Sequence, residues 1–193
     1  MAVSPFEVIA GPARVWLAAV GATMPGIGDD DAAVLALGFV ELGRTDGGVS
    51  VGHNESIELI MVDQVTGPIK AIRTEETIVV TFSFANLTLE NYAKVLNDVS
   101  VASVVSQERS ITLYQGPTVA QFAMLIRGDS PYEDDVMQFE LPVVSQTGSP
   151  SMSFTRDDKS VLETEWTTLE DQAAGTDAAK YGTLRAADSS APA

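Results

Sequence analysis

The chain offers few residues that could do chemistry: one histidine, no cysteine and three short acidic runs. His53 lies on the mostly apolar face of a segment with strand alternation. A lone imidazole with no thiol and no second histidine makes neither a metal cluster nor a paired base. His53 is therefore expected to be a half-buried strand residue. Gly128-Asp-Ser-Pro131 has the outline of a serine nucleophile turn. A serine nucleophile needs a base within hydrogen-bond reach and a partner that orients the base. His53 is the sole imidazole, and Asp-Ser-Pro is itself good turn sequence. No serine stands three residues before any of the four lysines, so a Ser-x-x-Lys arrangement is absent.

The acidic runs are Asp29-Asp30-Asp31, Glu133-Asp134-Asp135 and Asp157-Asp158. Carboxylate oxygens suit a hard divalent cation, but none of the runs has calcium-loop spacing. Solvated loops are expected. Glu75 and Glu76 are adjacent within a strand pattern, so they point to opposite faces and cannot readily share a proton. Gly26-Ile-Gly28 and Gly47-Gly48 lack the Lys and Ser/Thr of a phosphate loop. Asn54-Glu-Ser56 and Asn86-Leu-Thr88 fit a glycosylation pattern, which acquires meaning only with a secretion signal. The expectation is a protein that is not an enzyme, with no cofactor and no metal.

Composition narrows the partners. Lys and Arg total 11 against 27 Asp and Glu in 193 residues, a net charge of −16. Nucleic-acid affinity comes largely from cations that displace phosphate counterions, and an anionic membrane surface attracts the same cations. This chain suits neither as a gripping partner. No apolar run approaches the roughly 20 residues of a membrane span. Met-Ala-Val-Ser-Pro-Phe-Glu lacks the features of a signal peptide, so synthesis and assembly in a cytoplasm are expected. At 45% hydrophobic residues the chain can build a core.

The elements that must position these residues are mostly strands. Ala13–Val20 is a short apolar strand around Trp16. Breakers mark 21–33 as a loop, and Val34–Leu42 reads as the next strand. Two long strands follow, Val49–Gln64 and Ile69–Phe84, joined through Gly67-Pro68. In the second, Ile72, Ile78, Val80, Phe82 and Phe84 alternate with Arg73, Glu75, Thr77, Thr81 and Ser83, giving one core face and one wet face. Leu59-Ile-Met-Val62 is apolar in every position, so that end is expected to be covered on both sides. The helix is Leu89 to Asn97, with Thr88 as N-cap, Glu90 at the positive end of the dipole, and a Leu89, Tyr92, Ala93, Leu96 stripe. Strands are expected again at Ser110–Gln115, Val119–Arg127, Val136–Ser145, Ser151–Thr155 and Val161–Leu169, separated by Gly/Pro turns. Trp16 and Trp166 sit inside strand patterns and read as core. Residues 1–170 form one mainly β domain, a sandwich or barrel with a long hairpin and one flanking helix. Residues 171–193, rich in Ala, Asp, Ser and Gly, read as a flexible or assembly-ordered tail.

The order of these elements resembles that of phage tail tube proteins, the family related to type VI secretion tube proteins. Phe39-Val-Glu-Leu-Gly-Arg-Thr-Asp-Gly-Gly48 resembles the approach to that family's long hairpin. Val49–Gln64 and Ile69–Phe84 resemble the hairpin, Thr88–Leu96 the helix after it, and Thr164-Glu-Trp-Thr-Thr-Leu169 the closing strand. The resemblance covers roughly residues 35–170. It implies a virion protein, assembled in the bacterial host, whose copies close into hexameric rings that stack into a hollow tube. Its partners would be itself and other phage tail proteins, and DNA would pass without being bound. The wet face supplies the lumen candidates: Ser50, Asn54, Glu58, Glu75, Thr77, Thr81 and Ser83. Other readings are a capsid decoration, neck or distal-tail ring, or an acidic β-sandwich binding module, which would need a groove of exposed aromatics.

Overall fold

Alternating apolar residues at β-favouring positions build a mainly antiparallel β protein. A computed structural model describes residues 11–104, 108–132, 135–152, 154, 156 and 159–189. The runs Glu133-Asp134 and Asp157-Asp158, and the first ten residues, lie outside the described residues. The elements in order are β1 (Arg14–Ala19), α1 (Asp31–Ala36), β2 (Val40–Glu41), β3 (Thr45–Ile60), β4 (Lys70–Phe84) and α2 (Leu89–Val95). Then come β5 (Ala102–Val104), β6 (Glu108–Ser110), β7 (Phe122–Asp129), β8 (Val136–Gln146), β9 (Ser151–Met152) and β10 (Leu162–Thr168). A 3-10 turn at Asp177–Ala179 precedes β11 (Thr183–Ala186).

One nine-stranded sheet runs β2-β1-β7-β8-β10-β4-β3, with β11 beside β8 and β9 beside β10. Strands from both halves of this path meet in one core: Val15 of β1, Phe82 of β4, Met124 of β7, Leu141 of β8 and Trp166 of β10 are all buried together. The sheet thus wraps around its own apolar face, as a sandwich does. Phe122 and Trp166 meet edge to face at 5.9 Å between centroids, a favoured aromatic geometry. Pro142 lies in central β8, where it cannot donate to the ladder. It falls where the β7–β8 register shifts between Phe122/Val144 and Met124/Leu141, the kind of irregularity that accommodates proline.

β1 and β7 are buried on both faces. Their second face packs Trp16 and Leu125 against Val34 of α1 and Phe39. Here the expected strand Val34–Leu42 is corrected to a short helix, a turn and the two-residue β2. The acidic run explains the difference. Asp30 caps α1, its carboxylate accepting from the Ala33 amide at 2.8 Å, and Asp29 accepts from the Gly26 amide at 2.7 Å. Asp31 pairs with Arg14, which also forks onto Glu41 with two contacts of 2.9 Å. Two carboxylates around one guanidinium hold the Arg14 pKa above its ordinary value, the Glu41 hydrogen bond contributing most. The run is a helix start and an ion-pair anchor.

α2 forms where expected, with Thr88 accepting from the Asn91 amide at 3.2 Å. It ends at Val95 with Leu96 as C-cap, short of the expected Asn97, whose left-handed φ of 65° is unusual outside glycine but tolerated by asparagine. The Asn97 side chain donates to the Gln115 and Thr118 carbonyls and accepts from the Ala120 amide. That pin replaces the strand expected over Ser110–Gln115: beyond Ser110 the chain is a loop tied back to the helix end. Within the last segment, β11 pairs with β8 from Thr183/Glu140 to Ala186/Met137.

Candidate functional site

β3 and β4 pair along almost their whole length, from Thr45/Phe84 to Ile60/Lys70. β10 covers only the base of β4, from Val79 to Phe84. Beyond that, residues 53–60 and 70–77 form a two-stranded ribbon with no neighbouring strand on either side among the described residues. β3 is the end of the sheet, so its outer edge carries unpaired backbone donors and acceptors along its length. The tip is apolar and exposed: Leu59 is 57% accessible, Met61 62% and Ile69 56%. Among the described residues, the expected cover over Leu59-Ile-Met-Val62 is therefore not supplied.

Cross-strand partners share a face, so the register locates each sequence candidate. Ser50 faces out beside Thr81, Asn54 beside Thr77 and Glu75 beside Ser56, while Ser83 lies opposite Asp46. Glu58 keeps the same parity on β3. All seven candidates thus stand on one face. Two irregularities keep the face continuous. Gly47 and Gly48 loop out between the Asp46 and Val49 pairs, both at left-handed φ that suits glycine (74° and 88°). Thr74 is the extra residue between Ser56/Glu75 and Ile57/Arg73. This second shift corrects the alternation read from sequence: Ile72 moves onto the polar face opposite Glu58, and Arg73 moves to the other face.

On that other face Arg73 bridges Glu55 at 2.8 Å and Glu76 at 3.3 Å, and His53 Nε2 lies 2.9 Å from Glu76. His53 is exposed, not half-buried, because the core ends before it. Ser130 is buried, donating to the Ala187 carbonyl at 3.0 Å and accepting from the Tyr132 amide. It is a loop-to-tail tie with no imidazole at hand. No group of three or more potential metal ligands is gathered among the described residues. Among them, no helix is long and apolar enough to cross a membrane.

The sequence reading missed how far the polar face extends. Glu163 pairs with Ser83, Glu165 with Thr81 and Thr167 with Val79, so β10 adds two carboxylates to it. The signal was present in Leu162-Glu-Thr-Glu-Trp-Thr-Thr168, whose accessibility alternates strictly along its first five residues. At the hairpin base Glu163 and Glu165, with Asp46, Ser50, Thr81 and Ser83, line an open depression of about 520 Å³. It is a trough in a wall, with no enclosed pocket for a substrate.

A second polar group, also missed, fixes the loop before α1. Arg127 donates to the Gln138 side chain at 2.8 Å, to the Asp29 carbonyl at 2.7 Å and to the Gly26 carbonyl at 2.8 Å. Gln138 donates to the Pro25 carbonyl and to Glu140, and Arg185 reaches Glu140 from β11 at 3.2 Å. Burial lowers the Arg127 pKa, with Asp29 and Asp31 opposing the shift. The group is closed on itself and satisfies its polar atoms, so its role is to hold loops.

No protein-family model matches the chain, and no curated protein matches it. One solved structure that it resembles is described as the cryo-EM structure of the anti-feeding prophage (AFP) baseplate, 6-fold symmetrised. The likeness spans 97% of this chain and 98% of that one at 10% identity, with a TM-score of 0.42.

Proposed function

We propose that the chain is a self-assembling structural subunit whose copies form stacked rings, the tube of a phage tail. The observation that carries this reading is the β3–β4 ribbon. An isolated two-stranded ribbon is marginal in water, and a long open edge invites another strand. This ribbon has open edges, two exposed faces and an apolar tip. Pairing with identical copies would satisfy the edge and cover the apolar residues. The polar face, from Ser50 and Thr81 out to Glu58 and Glu75, would then line the inside of the cylinder. Its carboxylates would repel a DNA backbone and let it slide, where cations would hold it.

Electron microscopy of the purified protein across a concentration series tests this. Hollow cylinders with β3 beside a strand of the next copy are expected. Single closed rings or trimers that never stack would overturn the tube and favour a neck or decoration role. Assemblies that leave the β3 edge in solvent would overturn the mechanism.

A further inference from the structure

The outer edge of β3 is complementary to itself. From Val49 to Ile60 it carries no proline, lysine or arginine, the residues that natural edges use to refuse another strand. Its side chains alternate without interruption over this stretch, because the extra residue at Thr74 lies on β4. Even-numbered residues from Ser50 to Glu58 stand on the polar face, and odd-numbered residues from Val49 to Leu59 stand on the other. Two such edges keep their polar faces together when they pair antiparallel about a two-fold axis normal to the sheet. Opposed residues share a face, so the axis passes beside one residue and not between two.

Axis positions near the middle of the stretch give the longest overlap, and side chains choose among them. An axis at Glu55 sets that carboxylate against its own copy, and like charges directly opposite are destabilising. An axis at His53 sets Glu55 against the aliphatic Val51. An axis at Asn54 matches every pair. On the polar face Asn54 meets Asn54, Gly52 meets Ser56 and Ser50 meets Glu58. On the other face Val51 meets Ile57, Val49 meets Leu59 and His53 meets Glu55, each pair occurring twice. Ile57 and Leu59 are 51% and 57% accessible in the single chain, so this register covers apolar surface that the fold leaves open. Glu55 and His53 keep their partners within the chain, Arg73 at 2.8 Å and Glu76 at 2.9 Å. The match therefore does not depend on a new ion pair.

We infer that the free subunit closes this edge by pairing β3 with β3 of a second copy, antiparallel about a two-fold axis at Asn54. The contact is isologous and stops at two copies. It concerns the subunit before assembly and shares only the open β3 edge with the tube reading. The dimer is a reserve form. It hides the edge from wrong partners, and it must open before β3 can join a ring.

The chain has no cysteine, so one introduced thiol reports one position. Asn54→Cys, at an exposed site, is expected to give a disulfide-linked dimer on mild oxidation of dilute protein. Opposed antiparallel residues have Cα atoms about 4.5–5.5 Å apart, within disulfide reach. Ser50→Cys alone is not expected to link, because its two copies would lie roughly 25 Å apart along the strands. Mixed with Glu58→Cys, it should link. Unchanged far-UV circular dichroism confirms that each variant folds. Ile57→Glu, without any cysteine, sets a carboxylate against Val51 at both symmetric places. It should raise the dimer dissociation constant about tenfold or more in sedimentation equilibrium. The oxidised Asn54→Cys dimer should form cylinders only after reduction. Linking at Ser50→Cys alone as readily as at Asn54→Cys, indifference to Ile57→Glu, or a chain that stays monomeric until cylinders appear overturns this contact and leaves the tube reading standing. Cylinders built directly from locked dimers overturn the reserve role. A linked dimer that never yields cylinders after reduction supports the contact and overturns the tube. A monomer at every concentration overturns both.

Discussion

Arg127 shows how a single side chain fixes a segment that lacks secondary structure of its own. Its guanidinium joins β7 to β8 through Gln138 and to the loop before α1 through the Gly26 and Asp29 carbonyls. Methionine has nearly the same reach but no donors. Arg127→Met would leave two carbonyls and an amide oxygen unpaired and remove a countercharge near Glu140. A loss of about 2–4 kcal/mol is expected, read as a lower urea midpoint with an unchanged slope. Assembly should survive wherever the fold does, because Arg127 is remote from the ribbon. None of this was visible in sequence. A buried Arg and Gln in strands look like any outward-facing alternation, and their partners are backbone atoms of a loop about a hundred residues earlier. His53 teaches the converse. Its place in the alternation was read correctly, but alternation tells the face and not how far along the strand the core extends.

At the scale of elements, the hairpin divides into a base that belongs to the core and a ribbon that does not. Replacing residues 57–74 with Asn-Gly would join Ser56 to Glu75, which already pair, through a two-residue turn favoured in hairpins. No residue in that stretch is buried. Thermal unfolding of the shortened chain should match the parent to within about 1 kcal/mol, while sedimentation should show that assembly is lost. Substantial destabilisation would mean that the ribbon serves the fold. Both long strands and α2 were legible from period and cap: Phe82 and Phe84 against Thr81 and Ser83, and Thr88 before Leu89. α1 was not, although Asp30 is as good a cap as Thr88. A six-residue helix, Asp31 followed only by alanine, valine and leucine, has no full amphipathic turn to separate it from a buried strand. The extra residue at Thr74 has no sequence signature, so Ile72 was assigned to the wrong face.

For the whole molecule, the question is where a charge of −16 is spent. Glu58, Glu75, Glu163 and Glu165 stand on the continuous polar face, and in the proposed cylinder they form rings of negative charge. Glu58→Lys with Glu75→Lys should slow DNA transit through assembled tubes at low salt, and the difference should fade as screening shortens from about 30 Å at 0.01 M to about 8 Å at 0.15 M. Transit unaffected at every salt concentration would show that this face does not line the path.

The ribbon also gives the subunit a conditional lifetime. Chain that is neither buried nor flanked is what proteases cut first, and the stretch from Met61 to Ile69 meets both conditions. A broad-specificity protease should nick free subunits there within minutes and spare those already incorporated. Resistance would then rise with protein concentration. Under the proposed tube reading, surplus copies would be cleared and those that had found neighbours would persist.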